Sequence, residues 1–391
     1  MTTGKKTNVE VTQALVNDVG GELKEELQPI LDDQTMSNDQ KSRAISTKLF
    51  GYSVLKNAFI GALVNKVFMS RFWSKAWENP LKMFVDGNIT YGYTIEDLYV
   101  DASDAVDYSE HFDGGSTECD DIFKLVDNKV YANYLSINFE KKFKTTIKDF
   151  DLRRAFTSEY GLGDMISQLM TKNTRGLYRL EYKLLKDMLT KYMSGISAKD
   201  VGMGTSSTPT QFIQDTQVTK VTGATTKELI ENLLLNIRIY GEQFEFESDK
   251  YNSAGVMQFS PMSDTVIVTT PQVYGHIDNY LAKTYNEDRV KILNKIILID
   301  SLPGVNVIKS GTGTGTGTGT TSYVNDKPIA LLMDAKLLQL KPSLLEMREI
   351  ENPNALAKNY FLHFHGLVGI VPFLNCKIFT ATNAQLPKLE G

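Results

Sequence analysis

The sequence predicts an α+β fold built as more than one compact unit. Leu135, Ile137 and Phe139 alternate with Ser136, Asn138 and Glu140, the two-residue period of a half-buried strand. Leu177, Leu180, Leu184, Leu185, Met188, Leu189 and Tyr192 instead recur at helical spacing, as one apolar stripe. Thr265 to Thr269 reads as a strand that passes directly into a helix opened by Pro271. A chain of 391 residues, 42% hydrophobic and 23% charged, is long enough for two or three such units with a substantial core.

Taken in order, residues 1 to about 50 are polar, with a weak amphipathic pattern through Val11, Leu15, Val16, Val19, Leu23 and Leu27 that Gly20-Gly21 interrupts. They read as a partly helical arm, stable only against neighbours. Val54 to Phe72 places Leu55, Ala58, Phe59, Ala62, Leu63, Lys66 and Phe68 at near-helical spacing, a helix in need of a partner surface. From Leu81 to Val100 the β-branched and aromatic content rises, and Asp86-Gly87 is a two-residue turn signal, so a hairpin or strand pair is expected there. Asp101 to Asp121 then carries eight acidic residues and no Lys or Arg around Gly114-Gly115, and precedes the alternating strand at 135–140. This pair of strand patterns and its acidic tip holds too few apolar residues to pack on its own domain.

Asp149 to Ser194 is helical in two or three pieces, since Gly161, Gly163 and Gly176 interrupt it, and Gly195 is its C-terminal cap. A helix through Leu229, Ile230, Leu233, Leu234 and Ile237 opens on Thr225 with Glu228, a capping box. Lys295 to Asp300 and Lys327 to Asp334 read as strands on either side of a strict Gly-Thr alternation, Gly311 to Thr320.

No catalytic or ligand motif survives inspection. The glycines of the Gly-Thr repeat occupy only odd positions and no lysine follows, so neither a dinucleotide fingerprint nor a P-loop is present; it reads as a flexible surface loop. His363 and His365 share a strand face with Cys376 nearby in sequence, but two histidines do not make a metal site. The acid-rich stretch lacks the calcium-loop spacing, and no serine sits in a nucleophile elbow. No cofactor is expected. Cys119 and Cys376 give no disulfide framework. No apolar run approaches a membrane span, and the N-terminal MTTGKKTNVEV has no apolar stretch behind its lysines, so neither a span nor a signal peptide is expected and the chain reads as made in the cytosol without a membrane partner. A net charge of −5 argues against a surface built for tight nucleic-acid binding, whose affinity comes mainly from Lys and Arg on phosphates.

A more specific signal lies in Asn79 to Asp101, NPLKMFVDGNITYGYTIEDLYVD: Asn79-Pro80-Leu81-Lys82, Gly87, Gly92, then Thr94-Ile95-Glu96-Asp97-Leu98-Tyr99 and Asp101. It resembles the opening of the extended hairpin in major capsid proteins of small short-tailed phages, the phi-twenty-nine-like or picovirus type. TIKDFDLRRAF (from Thr146) through LEYKLLKDMLTKYMSG (to Gly195), KIILID, KPIALLMD and Met347 to Thr382 repeat later blocks of that family in order. The resemblance implies the Hong Kong 97-type capsid fold. It implies an N-terminal arm and helix at 1–78, an extended loop at 79–147, a spine-helix region of the peripheral domain at 148–200, an axial domain at 201–333 holding the Gly-Thr loop 311–321, and return strands with the tail at 334–391. Some relatives carry an immunoglobulin-like domain at the C-terminus, for which a chain ending at Gly391 leaves no room.

The implied work is self-assembly, in many copies, into an icosahedral or prolate virion head around double-stranded DNA held without sequence-specific contacts. Scaffolding and portal proteins are the implied partners, the host is bacterial, and assembly is in its cytoplasm. Two alternatives stand beside this: an encapsulin-like nanocompartment shell, and a hydrolase with an unrecognised site. The candidate interface residues are Asp113, Glu118, Asp120 and Asp121 of the acidic tip, opposite Lys141, Lys142, Lys144, Arg153 and Arg154 at the base of the loop of an adjacent copy. The acidic stretch is otherwise a solvated loop.

Overall fold

A computed structural model of the chain describes residues 7–19, 21–69, 77–87, 89, 92, 94–102, 129–156, 161–207, 209–211, 213–284, 295–308, 320–322 and 326–382. The chain opens with four helices, α1 (Asn8–Val19), α2 (Gly21–Asp32), α3 (Asn38–Gly51) and α4 (Ser53–Met69). Strands β1 (Thr94–Val100), β2 (Val130–Ser136) and β3 (Phe139–Lys148) lead into α5 (Asp149–Ala155) and α6 (Gly161–Ser194). Short strands β4 (Ile196–Ser197), β5 (Pro209–Gln211), β6 (Ile213–Gln214) and β7 (Val218–Lys220) precede α7 (Thr226–Gln243), β8 (Thr265–Thr269) and α8 (Pro271–Thr284). Then come β9 (Ile296–Leu298), β10 (Asn306–Ile308), β11 (Thr320–Ser322), β12 (Asp326–Asp334), β13 (Leu338–Asn352), β14 (Ala357–Ile370) and β15 (Cys376–Thr382). Two compact units result, one of Met1–Asn79, Glu140–Leu180 and Leu344–His365, the other of Pro80–Phe139, Glu181–Ser343 and Gly366–Gly391.

In the first unit the amphipathic stripes of α1 to α4 close on one another. Leu15, Leu23, Leu27, Leu31, Ile45, Leu49, Phe59 and Leu63 form a buried cluster with Ile147, Leu152, Phe156 and Tyr360. The N-terminal stretch is therefore packed on its own chain and is not an arm that waits for neighbours, because its apolar residues, sparse in each helix, sum to a core across four. Buried Asn8 pins α1 in place, its Oδ1 accepting the Leu162 N–H at 2.9 Å and its Nδ2 donating to the Ala155 carbonyl at 3.2 Å. Gly21 takes a φ of 60°, which lets α2 follow α1 at once. Helix α4 buries Leu55, Phe59, Ala62 and Leu63 as spaced, with Ile60 added and Ala58 left exposed.

The spine candidate comes in two pieces, α5 and α6, with α6 starting at Gly161; the further breaks expected at Gly163 and Gly176 do not occur, and α6 runs unbroken for 34 residues. Gly176 does not interrupt it. A Cβ there would lie 3.3 Å from the Phe143 ring of β3, so this glycine admits an aromatic side chain against the helix. Gly195, at φ 117°, ends the helix and donates to the Lys191 carbonyl at 2.7 Å.

The second unit is built on a five-stranded sheet in the order β7-β15-β12-β8-β9. β12 lies antiparallel to both β15 and β8, while β15 with β7 and β8 with β9 are parallel. All five residues of β8 are buried, which explains a β-branched run without alternation. α7 and α8 pack on this sheet through Leu229, Leu233, Ile237, Val273 and Ile277. Thr225 caps α7 by accepting the Glu228 N–H at 3.2 Å; the Glu228 carboxylate answers one residue earlier, to Ala224 N–H at 2.9 Å. Smaller sheets are β11-β10-β6, β4-β5 and β1-β2, and β13-β14-β3 forms a three-stranded one.

Among the described residues, Asp86-Gly87 joins no pair of strands. The Asp86 carboxylate accepts the Gly87 N–H at 2.8 Å and pairs with Lys341 at 3.3 Å. The chain then runs beside β13, with Asp86 N–H on the Leu340 carbonyl and Ile89 N–H on that of Pro342. The strand partner of β1 is β2, beyond the acid-rich segment.

Candidate assembly surfaces

β1 and β2 form an antiparallel ribbon in register from Thr94↔Ser136 to Val100↔Val130. One face is held by its own unit. Tyr99 stacks on Phe373 at 5.8 Å and its hydroxyl donates to the Met257 carbonyl, Asn133 donates to the Ile370 carbonyl at 3.3 Å, and Leu135 is buried. The expectation that this loop could not pack on its own domain is thus corrected for one face, since alternation concentrates its few apolar groups on a single side. The opposite face stays open: beyond the Tyr134 hydroxyl, which donates to Glu96 at 2.7 Å, the cross-strand pairs Leu98–Ala132 and Val100–Val130 are exposed.

The other surface lies on the sheet of the first unit. Phe143, Thr145 and Ile147 of β3 turn inward, while Lys142, Lys144 and Lys148 alternate outward and are exposed. Thr146 donates to Asn359 of β14 at 2.6 Å, which sets β3 beside β14 and brings Phe361, His363 and His365 onto the same face. Lys142 and Lys144 each hold their amino group 5.8 Å from the centre of the Phe361 ring. Such exposed cation–π contacts are worth about 0.5–1 kcal/mol each. Neither lysine forms an ion pair among the described residues. Phe361 continues to His363 at 6.5 Å, and His363 to His365 at 6.0 Å between ring centres.

Of the basic candidates, then, Lys142 and Lys144 are brought together. Lys141 has the parity of Phe143 and points to the other side of the strand. Arg153 and Arg154 are exposed on α5, with the Arg153 guanidinium 4.6 Å above Phe50. The acidic candidates Asp113, Glu118, Asp120 and Asp121 lie outside the described residues, as do Cys119 and most of the Gly-Thr repeat. Phe361 carries no signal of its role in the sequence alone: the two-residue alternation of Phe361, His363 and His365 marks the face, but its lysine partners lie more than two hundred residues away.

Two polar clusters sit elsewhere, both in the second unit. Lys186 of α6 reaches both Asp300 oxygens at 2.7 Å and the Ser301 hydroxyl at 2.9 Å, and the Tyr182 hydroxyl donates to the same carboxylate. Burial and that carboxylate push the Tyr182 phenol up to about 12. Lys377, buried on β15, donates to the Thr216 carbonyl at 2.5 Å and lies 4.1 Å from the Tyr240 ring centre and 5.5 Å from that of Tyr251. Beside it, burial raises the Cys376 thiol to about 12, which keeps it a thiol and a poor nucleophile. Among the described residues no three His, Cys, Asp or Glu side chains group to hold a metal, and no helix is long and apolar enough to cross a membrane.

Comparison with known proteins places this architecture. The profile of the Phi29-like phage major capsid protein matches residues 13–380. The major capsid protein of Streptococcus phage Cp-1 is 24% identical over 331 residues, covering 82% of this chain and 81% of that protein. That of Bacillus phage GA-1 is 23% identical over 347 residues, covering 88% of this chain but 65% of the relative, so the chain spans just under two thirds of its length. A chain in the head-fiber and inner-core structure of native bacteriophage P68 superposes with a TM-score of 0.56 at 17% identity, over 80% of this chain and 86% of that one. One in the capsid structure of Staphylococcus phage Andhra gives 0.54 at 15%, over 80% and 87%. At such identities the structural likeness speaks for the fold, which is α+β of the Hong Kong 97 type. The sequence relatives are phage head proteins, and the nanocompartment alternative gives way to them.

Proposed function

This chain belongs to the Phi29-like phage major capsid protein family, and from that membership we propose how its two open surfaces build the shell. It is a viral major capsid protein, and many copies of it form the virion capsid. In our reading the segment from Asn79 to Ile147 is the extended loop: the ribbon of one copy lies on the next, and the acid-rich 101–121 segment meets the face that carries Lys142 and Lys144. The observation that carries this is the pair of lysines on Phe361, outward and without a carboxylate among the described residues, in a chain whose loop supplies eight acidic residues and no basic one. Complementary charge of this kind fixes register and partner choice more than it adds affinity, which suits reversible assembly. Weak contacts repeated over a closed shell sum to a stable particle.

We extend the reading to a portal and a scaffolding protein as partners, to double-stranded DNA enclosed without sequence-specific contacts, and to assembly in the cytoplasm of the bacterial host. We assign no catalytic role, since building a wall requires none. Deleting Tyr108 to Asp120 is expected to leave a folded monomer that forms no particles by negative-stain microscopy. Normal particles from that deletion would remove the loop from the mechanism.

A further inference from the structure

Leu356, in the turn between β13 and β14, is the non-glycine residue with positive φ among the described residues, at φ 44° and ψ 52°. The left-handed region penalises a Cβ and suits glycine or asparagine. This leucine is nevertheless 68% exposed, so the monomer gives it little burial to offset the backbone strain. Strain held on an exposed apolar residue points outward, to something that the residue touches in another molecule.

Its surroundings have the same character. Asp149 donates its N–H to the Leu356 carbonyl at 3.0 Å, which sets Phe150, 72% exposed, beside the turn. The Asp149 carboxylate pairs with Lys56 at 2.7 Å, bringing in the start of α4, where Tyr52 is 60% and Val54 65% exposed. Three charges beside the turn are already paired: Lys56 with Asp149, Lys358 with Glu349 at 2.9 Å, and Glu351 with the Asn57 amide at 3.3 Å. A patch of four large apolar side chains, with Lys148, Arg153 and Arg154 flanking Phe150 in sequence, fits an apolar protein surface that carries acidic groups at its edge.

We propose that this patch docks the open face of the β1–β2 ribbon of a second copy, so that Leu98, Val100 and Val130 of one subunit cover Leu356 and Phe150 of the next. The inference rests on the shell-forming reading above. Two observations select this occupant. The ribbon strip is an exposed, one-sided apolar surface carried by every copy, so pairing it with a different patch gives the head-to-tail contact that can repeat around a shell. The charges also continue across the contact: the acid-rich segment begins at Asp101, next to Val100, while Lys148, Arg153 and Arg154 flank Phe150. Seating the ribbon on Leu356 carries acidic residues toward basic ones.

The decisive variant is Leu356→Gly, which relieves the backbone while deleting the contact. The full chain carrying it is expected to melt at the same temperature as wild type or higher, and to assemble about tenfold more slowly or less by light scattering, the loss expected of an apolar anchor. A residue serving only the turn would give the same or higher melting temperature with assembly unchanged, and that result overturns the proposal. Phe150→Ser should reproduce the assembly loss. In a Cys119→Ser background, Leu356→Cys combined with Val100→Cys should form an intersubunit disulfide on oxidation, and neither single cysteine should. Loss of assembly without that bond would show a different occupant and reject this one. Wild type run alongside separates the two levels, because failure of wild type to form particles counts against the shell reading itself.

Discussion

Lys377 concentrates the residue-scale tension of this fold, a cation taken out of water with one carbonyl and two aromatic faces in place of a counter-ion. Burial lowers its pKa from the usual 10.5 to about 8, outweighing the opposing electrostatic influence of Cys376 and Asp215. Because the folded value lies below the unfolded one, the charged form weakens the monomer at neutral pH, and stability rises as pH climbs through about 8 toward 10.5. A gap of that size corresponds to about 3 kcal/mol at 1.36 kcal/mol per unit, an upper bound because the Tyr240 ring favours the cation. Lys377→Met should therefore be more stable than wild type at pH 7, and that advantage should shrink by about 1 kcal/mol by pH 9 as wild type sheds its proton. Chemical denaturation of the two proteins at both pH values measures the difference, in which the titration of Cys376 cancels. A constant difference would mean that the aromatic box holds the lysine charged throughout.

Elements were legible wherever their signal was local. The stripe from Leu177 to Tyr192, the Thr225 cap, the Pro271 start and the Gly195 stop all appear where the sequence puts them. What failed depended on distant partners. Gly176 reads as a helix break only while Phe143, thirty-three residues upstream, is unseen, and Asp86-Gly87 reads as a hairpin only while the neighbour at Leu340 is unknown. The N-terminal helices look too weakly apolar singly, and Leu356 violates the rule by which a left-handed turn is read at all. The same distinction sets the sign of two substitutions. In Gly366→Ala the new Cβ would sit 2.6 Å from the Lys341 carbonyl and 2.8 Å from the Phe139 ring, so β14 must shift, at a cost of about 1–3 kcal/mol. Gly275, inside α8, has nothing within 4 Å, and Gly275→Ala should stabilise by roughly 0.5–1 kcal/mol through helix propensity and a less flexible unfolded chain. Opposite shifts in melting temperature are expected. A loss at both positions would mean that α8 has a neighbour in the assembled state or that its glycine is needed for another reason.

At the scale of the whole molecule, two kinds of contact are proposed for the shell, an apolar one between ribbon and patch and an ionic one between the 101–121 segment and the lysine face, and salt separates them. Exposed charges are screened as the Debye length falls from about 10 Å at 0.1 M to about 3 Å at 1 M, whereas apolar contacts are not weakened this way. If the 101–121 segment docks on Lys142 and Lys144 of a neighbour, assembly should slow over that range. Replacing Asp113, Glu118, Asp120 and Asp121 by Lys should block it by placing like charges together. Restoration should then follow the geometry of β3: Lys142→Glu with Lys144→Glu, on the outward face, should partly rescue the reversed loop, while Lys141→Glu, on the other side of the strand, should not. Each glutamate also removes a cation–π contact worth about 0.5–1 kcal/mol, so the melting temperature of the rescued monomer is measured alongside to separate folding from docking. Assembly that stays flat or accelerates with salt, together with no rescue by the outward pair, would show the acidic stretch to be a solvated loop and leave the shell to its apolar contacts.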